Sequence, residues 1–293
     1  MSFSSEVKEE LSRHLGKSRH CQIAELAAII AFDGKVYKNE SGCDIFLNSE
    51  NDLLNEKYEL LLNRLFDIEK TDRKEHKKIY EAVKMWDETH QVPMLTDEVN
   101  GLLLQQSCCK RAYIRGAFLA GGSISDPNKS YHFEIVCRSQ PQAEQLRDVI
   151  NSFEMDAKIV ERKKHFVVYL KEGAQIVDIL NIMEAHVALM NLENVRILKE
   201  MRNTVNRKVN CETANISKTV NAAVKQLEDI TYIKETSGLD SLPDNLKEMA
   251  MLRLEYPEAP LKELGTYLNP PVGKSGVNHR LRKISEIAED LRK

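Results

Sequence analysis

The stretch from Cys21 to Gly34 has the sequence CQIAELAAIIAFDG, and the stretch from Cys109 to Gly122, 88 residues further on, has the sequence CKRAYIRGAFLAGG. The two segments share their first cysteine, the alanine at their fourth position and their final glycine. Each is an apolar helix that ends at glycine, the residue that most readily adopts the left-handed conformation of a helix C-cap. This internal repeat predicts two halves built around a matched pair of helices.

Similar elements follow each of these helices. Clusters of β-branched and aromatic residues predict strands, and longer segments with helical apolar spacing predict helices. The predicted strands are 44–49, 134–139, 157–160 and 165–170, and the predicted helices are 51–67, 141–154 and 173–191. We therefore predict an α+β domain with a pseudo-twofold axis over residues 1–191, made of repeats at about 21–105 and 109–191.

The composition limits the possible classes of function. The chain has 293 residues, a net charge of −3 and 42% apolar residues, which favours two domains and places any DNA-binding surface in a local basic patch. Without an apolar run of roughly 18 residues or a signal-peptide pattern, we expect a cytoplasmic protein with no membrane partner.

The cysteines show no metal-binding spacing. There are six, none of them in a CxxC pair, and the histidines do not complete a zinc motif: Cys21, Cys43, Cys108, Cys109, Cys137 and Cys211. We expect reduced thiols, no metal and no cofactor, although the adjacent Cys108 and Cys109 leave a redox role open.

Residues 192–236 predict a polar helix that links two domains. Its apolar spacing at Val220, Val224, Leu227 and Ile230 indicates packing along one side. The break at Thr236–Gly238 predicts a proteolytic cut near 236–239 and a separate domain over residues 237–293.

Three short helices fit into residues 237–293. Ser241 is expected to cap the first, Pro260 to open the second and Ser275 to cap the third. The predicted inner faces are Leu246, Met249, Leu252, Tyr256, Leu261, Leu264, Leu268, Val277, Leu281, Ile284, Ala288 and Leu291. An all-α unit of this kind, with a proline-containing turn before the last helix, is typical of a helix-turn-helix domain.

The third of these helices is the candidate DNA-reading element. Its outer face is basic and polar, and Arg and Asn suit base edges while Lys suits phosphate. The candidate contacts to double-stranded DNA are Lys274, Ser275, Asn278, His279, Arg280, Arg282 and Lys283. The alternative is a small helical bundle with a solvated basic face.

The repeated helix, ending in Phe32-Asp33-Gly34, resembles the LAGLIDADG signature of homing endonucleases. That resemblance implies two helices packed through small residues, here Ala27, Ala28, Gly116 and Ala117, with an acid at each helix end for divalent metals. The second acid is missing, because Gly121 stands opposite Asp33. One carboxylate cannot form a two-metal clamp, so we expect Asp33 to be a turn residue and the chain to be inactive as a nuclease.

Such a domain joined to a C-terminal helix-turn-helix is similar to the WhiA family. The matching stretches are NRKVNCETAN at 206–215, KTVNAA at 218–223, YPEAPLKELG at 256–265 and PPVGKSGVNHRLRK at 270–283. The resemblance implies a transcription regulator of Gram-positive bacteria without catalytic activity. It implies roles in cell division, chromosome segregation and, in spore formers, sporulation.

We therefore predict a nucleoid-associated DNA-binding regulator that acts at promoter regions, with other transcription or division proteins as further candidate partners. The basic segment 162–165 is a second candidate DNA contact, although a solvated turn is the favoured interpretation. The alternatives are a metal-dependent endonuclease and a protein-interaction scaffold with secondary DNA binding.

Overall fold

The computed structural model describes residues 2–39, 42–47, 49, 51–67 and 76–292. The predicted strand at 44–49 and the predicted repeat at 21–105 therefore lie partly outside the described residues. The chain divides into two compact units, Met1–Glu200 and Met201–Lys293. The predicted domain boundaries at 191 and 236 stay predictions.

The first unit mixes helices and strands. Its helices are α1 Phe3–Arg13, α2 Arg19–Asp33, α3 Asp52–Phe66, α4 His76–Ala82, α5 Ser107–Gly121, α6 Gln140–Asn151 and α7 Gly173–Met183. Its strands are β1 Gly34–Asn39, β2 Gly42–Leu47, β3 Trp86–Asp87, β4 Val92–Pro93, β5 Gly122–Ile124, β6 Phe133–Cys137, β7 Lys158–Arg162 and β8 His165–Leu170. This arrangement confirms the α+β prediction.

The strands are antiparallel, and the two halves follow one plan. A helix leads directly into a strand, its partner strand and a further helix, as α2–β1–β2–α3 and again as α5–β5–β6–α6. The second half completes a four-stranded sheet in the order β5-β6-β8-β7. Phe133, Ile135 and Cys137 alternate along β6 and are buried, so one face of this sheet covers the core.

Two sequence predictions were wrong in this unit. Gly34 and Gly122 were expected to cap the repeated helices in the left-handed conformation, but their φ angles are −63° and −87°, and each is the first residue of an unpredicted strand, β1 or β5. The predicted helix 173–191 is interrupted: α7 ends at Met183, and Glu184 takes a left-handed φ of 66° before the next helix starts at His186. A residue in that conformation ends the helix.

The centre of the first unit is the contact between α2 and α5. Their backbones approach so closely that a β-carbon on Gly116 would lie 2.6 Å from the Glu25 carbonyl oxygen and 2.9 Å from the Ala28 β-carbon. Phe32 and Tyr113 meet edge to face across the pair, with ring centroids 6.2 Å apart. Any larger residue at 116 would separate the two helices.

A buried charge cluster spans the same contact. Glu25 has no exposed side-chain surface and lies 3.0 Å from the Lys57 ammonium and 3.1 Å from Nε of Arg115. Arg115 also reaches Glu184, at 2.8 Å. Burial acts to lower the pKa of Arg115, but the Glu25 and Glu184 carboxylates together outweigh this effect and the pKa is raised. Burial lowers the pKa of Lys57, against the opposing effect of Glu25.

The second unit is all-helical. The long helix α8, His186–Thr236, contributes its C-terminal residues to it, followed by α9 Asp244–Glu255, α10 Leu261–Thr266 and α11 Lys274–Leu291. Ile230 and Ile233 are fully buried in the core of this unit, whereas Val220 and Val224 are about half exposed. The side of α8 that packs into the core therefore begins further along the helix than Val220, where the sequence predicted it to begin. Among the described residues, no helix is both long enough and apolar enough to cross a lipid bilayer.

Replacing Glu25 with Ala should destabilise the first unit by about 3–5 kcal/mol, because Lys57 and Arg115 lose the buried carboxylate between them and Glu184 remains as a partner for Arg115 alone. The sole tryptophan of the sequence, Trp86, lies in this unit, so its fluorescence during urea unfolding of the full chain reports that unit. Glu9→Ala, which removes an exposed pair with Arg13, is the control and should change stability by about 0.5 kcal/mol or less. Equal effects of the two variants would contradict the role of the buried cluster.

Trypsin should cut α8 first between residues 201 and 222, where every side chain is exposed, rather than at the glycine break. A helix held only by its own hydrogen bonds opens at low free-energy cost. The break itself is tied down, since the N–H groups of Ser237 and Gly238 donate to the Ile233 carbonyl at 3.0 Å. Mass spectrometry of early fragments should find ends at Arg202, Arg207, Lys208 or Lys218; a first cut after Lys234 would contradict this expectation.

Candidate nucleic-acid interface

The core of the second unit fixes which side of α11 is outward. Val277, Leu281, Ile284 and Ala288 are buried at helical spacing, as the sequence predicted. Two members of the predicted inner face are exposed instead: Leu291 at 40% in the last turn of α11, and Tyr256 at 38% after α9. Tyr256 lies at the surface because it stacks on the ring of Tyr267, with centroids 4.7 Å apart.

The turn between α10 and α11 depends on a close backbone contact. A β-carbon on Gly265 would lie 2.0 Å from the Val272 carbonyl oxygen, and the Val272 N–H donates to the Gly265 carbonyl at 2.9 Å. Glycine at 265 therefore allows the chain to fold back and to place the start of α11 beside α10. This contact positions the first turn of the candidate reading helix.

The predicted helix caps were wrong at two positions. The residue before α11 is Gly273, and Ser275 lies inside the first turn. Ser241 ends a short 3-10 helix, Leu239–Ser241, and the residue before α9 is Pro243. In both cases, a serine near a helix start was interpreted as a cap although a neighbouring residue without a capping side chain takes that position.

Arg253 holds the α9–α10 turn, and the sequence analysis missed it. Its guanidinium is almost fully buried, donates to the Ala259 carbonyl at 2.7 Å and makes two bonds to the Gln226 side-chain oxygen at 3.1 and 2.9 Å. Burial lowers the pKa of this guanidinium. The available signal was its spacing, because Arg253 continues the inner face after Leu246 and Met249.

Four of the predicted DNA contacts share the outer face of α11. Asn278, His279, Arg282 and Lys283 are all exposed. The Arg282 side chain is 77% exposed and its Nε lies 3.1 Å from a Glu286 carboxylate oxygen one turn later. An exposed pair of this kind is weak, so it leaves Arg282 available to another anion.

Two further predicted contacts lie at the N-terminal end of α11. Lys274 and Ser275 are exposed in the first turn. The first N–H groups of a helix have no partner within the helix, and the helix dipole makes this end positive. A phosphate placed here would meet the backbone N–H groups, the lysine and the hydroxyl together.

Arg280 differs from the other predicted contacts. Its side chain is 22% exposed and turns toward α9, where it lies 4.0 Å from a Glu248 carboxylate oxygen and donates to the Asn245 carbonyl at 3.4 Å. The structure therefore places Arg280 between α11 and α9 rather than on the outer face with Arg282.

The basic segment 162–165 is the turn of the β7–β8 hairpin, with Arg162 paired to His165. Lys163 and Lys164 are exposed at its tip. Arg162 lies 3.0 Å from a carboxylate oxygen of Glu134 on β6, the strand on the other side of β8. One acid therefore offsets part of the charge of this hairpin.

The end of α2 provides a structural role for Asp33. A carboxylate oxygen of this buried residue accepts the N–H of Ser49 at 2.9 Å and so fixes the chain after β2. At the matching place on α5, a β-carbon on Gly121 would lie 2.8 Å from the Val136 carbonyl oxygen. The backbone of β6 therefore occupies the space that a side chain at 121 would need.

Comparison with known families matches most of the chain. The model of the WhiA LAGLIDADG-like domain matches residues 110–202, and the model of the WhiA C-terminal HTH domain matches residues 205–288. The first match covers the second half of the predicted pseudo-twofold repeat. The second covers α9, α10 and nearly all of α11.

Full-length relatives carry the same family name. A probable cell division protein WhiA from Lachnoclostridium phytofermentans is 50% identical over 100% of both chains. One from Alkaliphilus oremlandii is 52% identical over 99% of this chain and 98% of its own. The crystal structure of full-length DUF199/WhiA from Thermatoga maritima is 26% identical, covers 99% of both chains and superposes with a TM-score of 0.59. The chain therefore belongs to the WhiA family, with a LAGLIDADG-like domain and a C-terminal helix-turn-helix domain.

Proposed function

We propose that this protein is a transcription regulator that binds double-stranded promoter DNA through α11. The observation that carries the proposal is the division of this helix into two faces. Val277, Leu281 and Ile284 are buried, while Arg282 and Lys283 lie on the exposed side. A helix that is fixed by its core on one side and basic on the other suits a major groove.

The residues of α11 divide by the part of DNA that they suit. Asn278 and Arg282 have side chains that form paired hydrogen bonds with base edges, and His279 and Lys283 flank them. Lys274 and Ser275 at the helix start suit a backbone phosphate. Arg280, turned toward α9, orients the helix in this proposal rather than contacting a base.

The relatives extend the proposal to a cellular role. They are named as probable cell division proteins, so we propose that the regulated genes serve cell division, with chromosome segregation and sporulation as connected processes. A regulator of this kind acts on the nucleoid in the cytoplasm. The same name favours a second candidate function, in which the first unit contacts other division or transcription proteins.

Pull-down from a native host distinguishes these two candidates. If the first unit is the partner-binding element, a chain shortened by residues 237–293 should recover the same proteins as the full chain. If partners are recovered only through promoter DNA, nuclease treatment of the lysate should remove them from the full-length sample.

We also propose that the protein has no catalytic activity. The support is the geometry at the ends of the paired helices, where Asp33 holds the Ser49 N–H and backbone atoms of β6 crowd Gly121. A two-metal cleavage site needs carboxylates from both helices. In this proposal, the first unit contributes to folding and assembly and not to catalysis.

The double variant Arg282→Ala/Lys283→Ala should lose specific DNA binding. If Arg282 pairs with a guanine, its share is about 1–3 kcal/mol. Lys274→Ala should instead weaken all sequences alike and reduce the salt slope by about one. The measurement is fluorescence anisotropy with specific and scrambled duplexes across a salt series.

The control for this experiment is Lys234→Ala, which removes an exposed lysine on α8. It should leave specific affinity unchanged. Circular dichroism of every variant verifies folding, with Leu281→Ala as the positive control for a disrupted core, at about 2–5 kcal/mol. A folded double variant that binds its site like wild type would exclude α11 as the reader and favour the hairpin at Lys163 and Lys164.

Purified protein should leave supercoiled plasmid intact in magnesium or manganese, because the position matching Asp33 is Gly121. Gel electrophoresis after prolonged incubation measures nicked and linear forms. Metal-dependent linearisation that disappears in Asp33→Ala would overturn the non-catalytic assignment.

A further inference from the structure

Four metal-binding side chains meet at the N-terminal ends of the paired helices. His20 and Cys21 belong to the first turn of α2, and Cys108 and Cys109 belong to the first turn of α5. Their nitrogen and sulfur ligand atoms all lie within 4.8 Å of one another. Neither the family match nor the DNA-binding proposal uses these residues.

The distances in this cluster fit a tetrahedral ion. Nδ1 of His20 lies 3.1 Å from the sulfur of Cys109, 3.4 Å from that of Cys21 and 4.0 Å from that of Cys108. Tetrahedral zinc with ordinary bond lengths separates a nitrogen and a sulfur ligand by about 3.6 Å. The three separations lie around that value, so small side-chain rotations would bring all four atoms into ligand positions.

We propose that His20, Cys21, Cys108 and Cys109 bind one zinc ion. Three thiolates and one imidazole form a donor set typical of structural zinc, with no ligand position left open for catalysis. Each cysteine releases its proton to solvent on binding, so a Zn²⁺ ion in this site leaves one net negative charge. Thiolate ligands also select zinc over the hard cations magnesium and calcium.

The pseudo-twofold repeat explains how the donors come together. His20 and Cys21 match Cys108 and Cys109 at the repeat distance of 88 residues, so packing α2 against α5 brings the two pairs to one place. Both pairs lie at helix starts, where the dipole favours negative ligands. Cys21 and Cys109 are buried beside Ala24 and Ala112, which fixes two of the four donors before any ion arrives.

This site differs from the metal site of LAGLIDADG nucleases. That site lies at the C-terminal ends of the paired helices, near Asp33 and Gly121. Twelve residues separate Cys21 from Asp33 along α2, which is about 18 Å of helix. Zinc at the N-terminal ends would join the two halves of the first unit and take no part in cleavage.

The competing interpretation is a redox-active thiol cluster. A disulfide would use only two of the three thiols. It would leave the His20 imidazole, whose Nδ1 lies within 4.0 Å of every sulfur, without a role. The placement of one nitrogen and three sulfur donors around one point therefore favours metal binding over disulfide exchange.

Cobalt substitution of the full-length protein tests the proposal. The chain is stripped with a chelator under reducing conditions and titrated with Co²⁺. We expect saturation at one ion per chain, with visible ligand-field bands of tetrahedral cobalt and a thiolate-to-cobalt charge-transfer band. Added Zn²⁺ should abolish both spectra, and elemental analysis should then find one zinc per chain.

Cys108→Ser and His20→Gln change the two exposed donors, so neither substitution disturbs the buried core. Trp86 fluorescence verifies the fold of each variant. Each should weaken zinc binding at least about 100-fold, since loss of a direct ligand exceeds the effect of losing a residue that only supports one. Cys211→Ser, an exposed cysteine on α8, is the matched control and should bind like wild type. The proposal is wrong if wild type shows no charge-transfer band, if both variants bind as tightly as the control, or if mild oxidation forms a disulfide while no metal is taken up.

Discussion

The close approach of α2 and α5 is the constraint on which the first unit depends. Gly116 allows the two backbones to touch, and the adjacent Arg115 places its guanidinium on Glu25 of the opposite helix. A buried carboxylate is stable only with partners, and Lys57 and Arg115 supply them from α3 and α5. Shape and charge thus specify the same relative position of the helices.

The stability of the second unit also depends on contacts between helices. Its three short helices cannot be stable alone, so they share one core with Ile230 and Ile233 from the end of α8. Arg253 reinforces the arrangement by joining the α9–α10 turn to Gln226. The residues on the outer face of α11 take no part in this core, so they are available to a ligand.

Periodicity and repetition predicted the main features of both units. The offset between Cys21 and Cys109 revealed the paired helices, and apolar spacing gave the inner face of α11 at Val277, Leu281 and Ile284. These signals succeed because burial of a whole face is an average over many residues. The candidate contacts on α11 stay predictions, since exposure alone does not identify a DNA-binding residue.

Features that depend on a single long-range contact were not predictable. Ser275 has a capping side chain, but Gly273 takes the cap position because the chain must pass Gly265 at backbone distance. Arg280 looked equivalent to Arg282 until the position of α9 was known. A zinc motif was excluded because such motifs are recognised by local spacing, whereas these donors come from two helices 88 residues apart.

In a pseudo-twofold pair of helices, each residue on α2 has a matching residue on α5. Two ligands on α2 therefore become a set of four when the matching positions on α5 also carry ligands. At the C-terminal ends the match is Asp33 with Gly121, which supplies one carboxylate and, at Gly121, leaves no room for a second. At the N-terminal ends the matches are His20 with Cys108 and Cys21 with Cys109, which supply four donors. The same symmetry therefore argues against a metal at one end of the helix pair and in favour of one at the other.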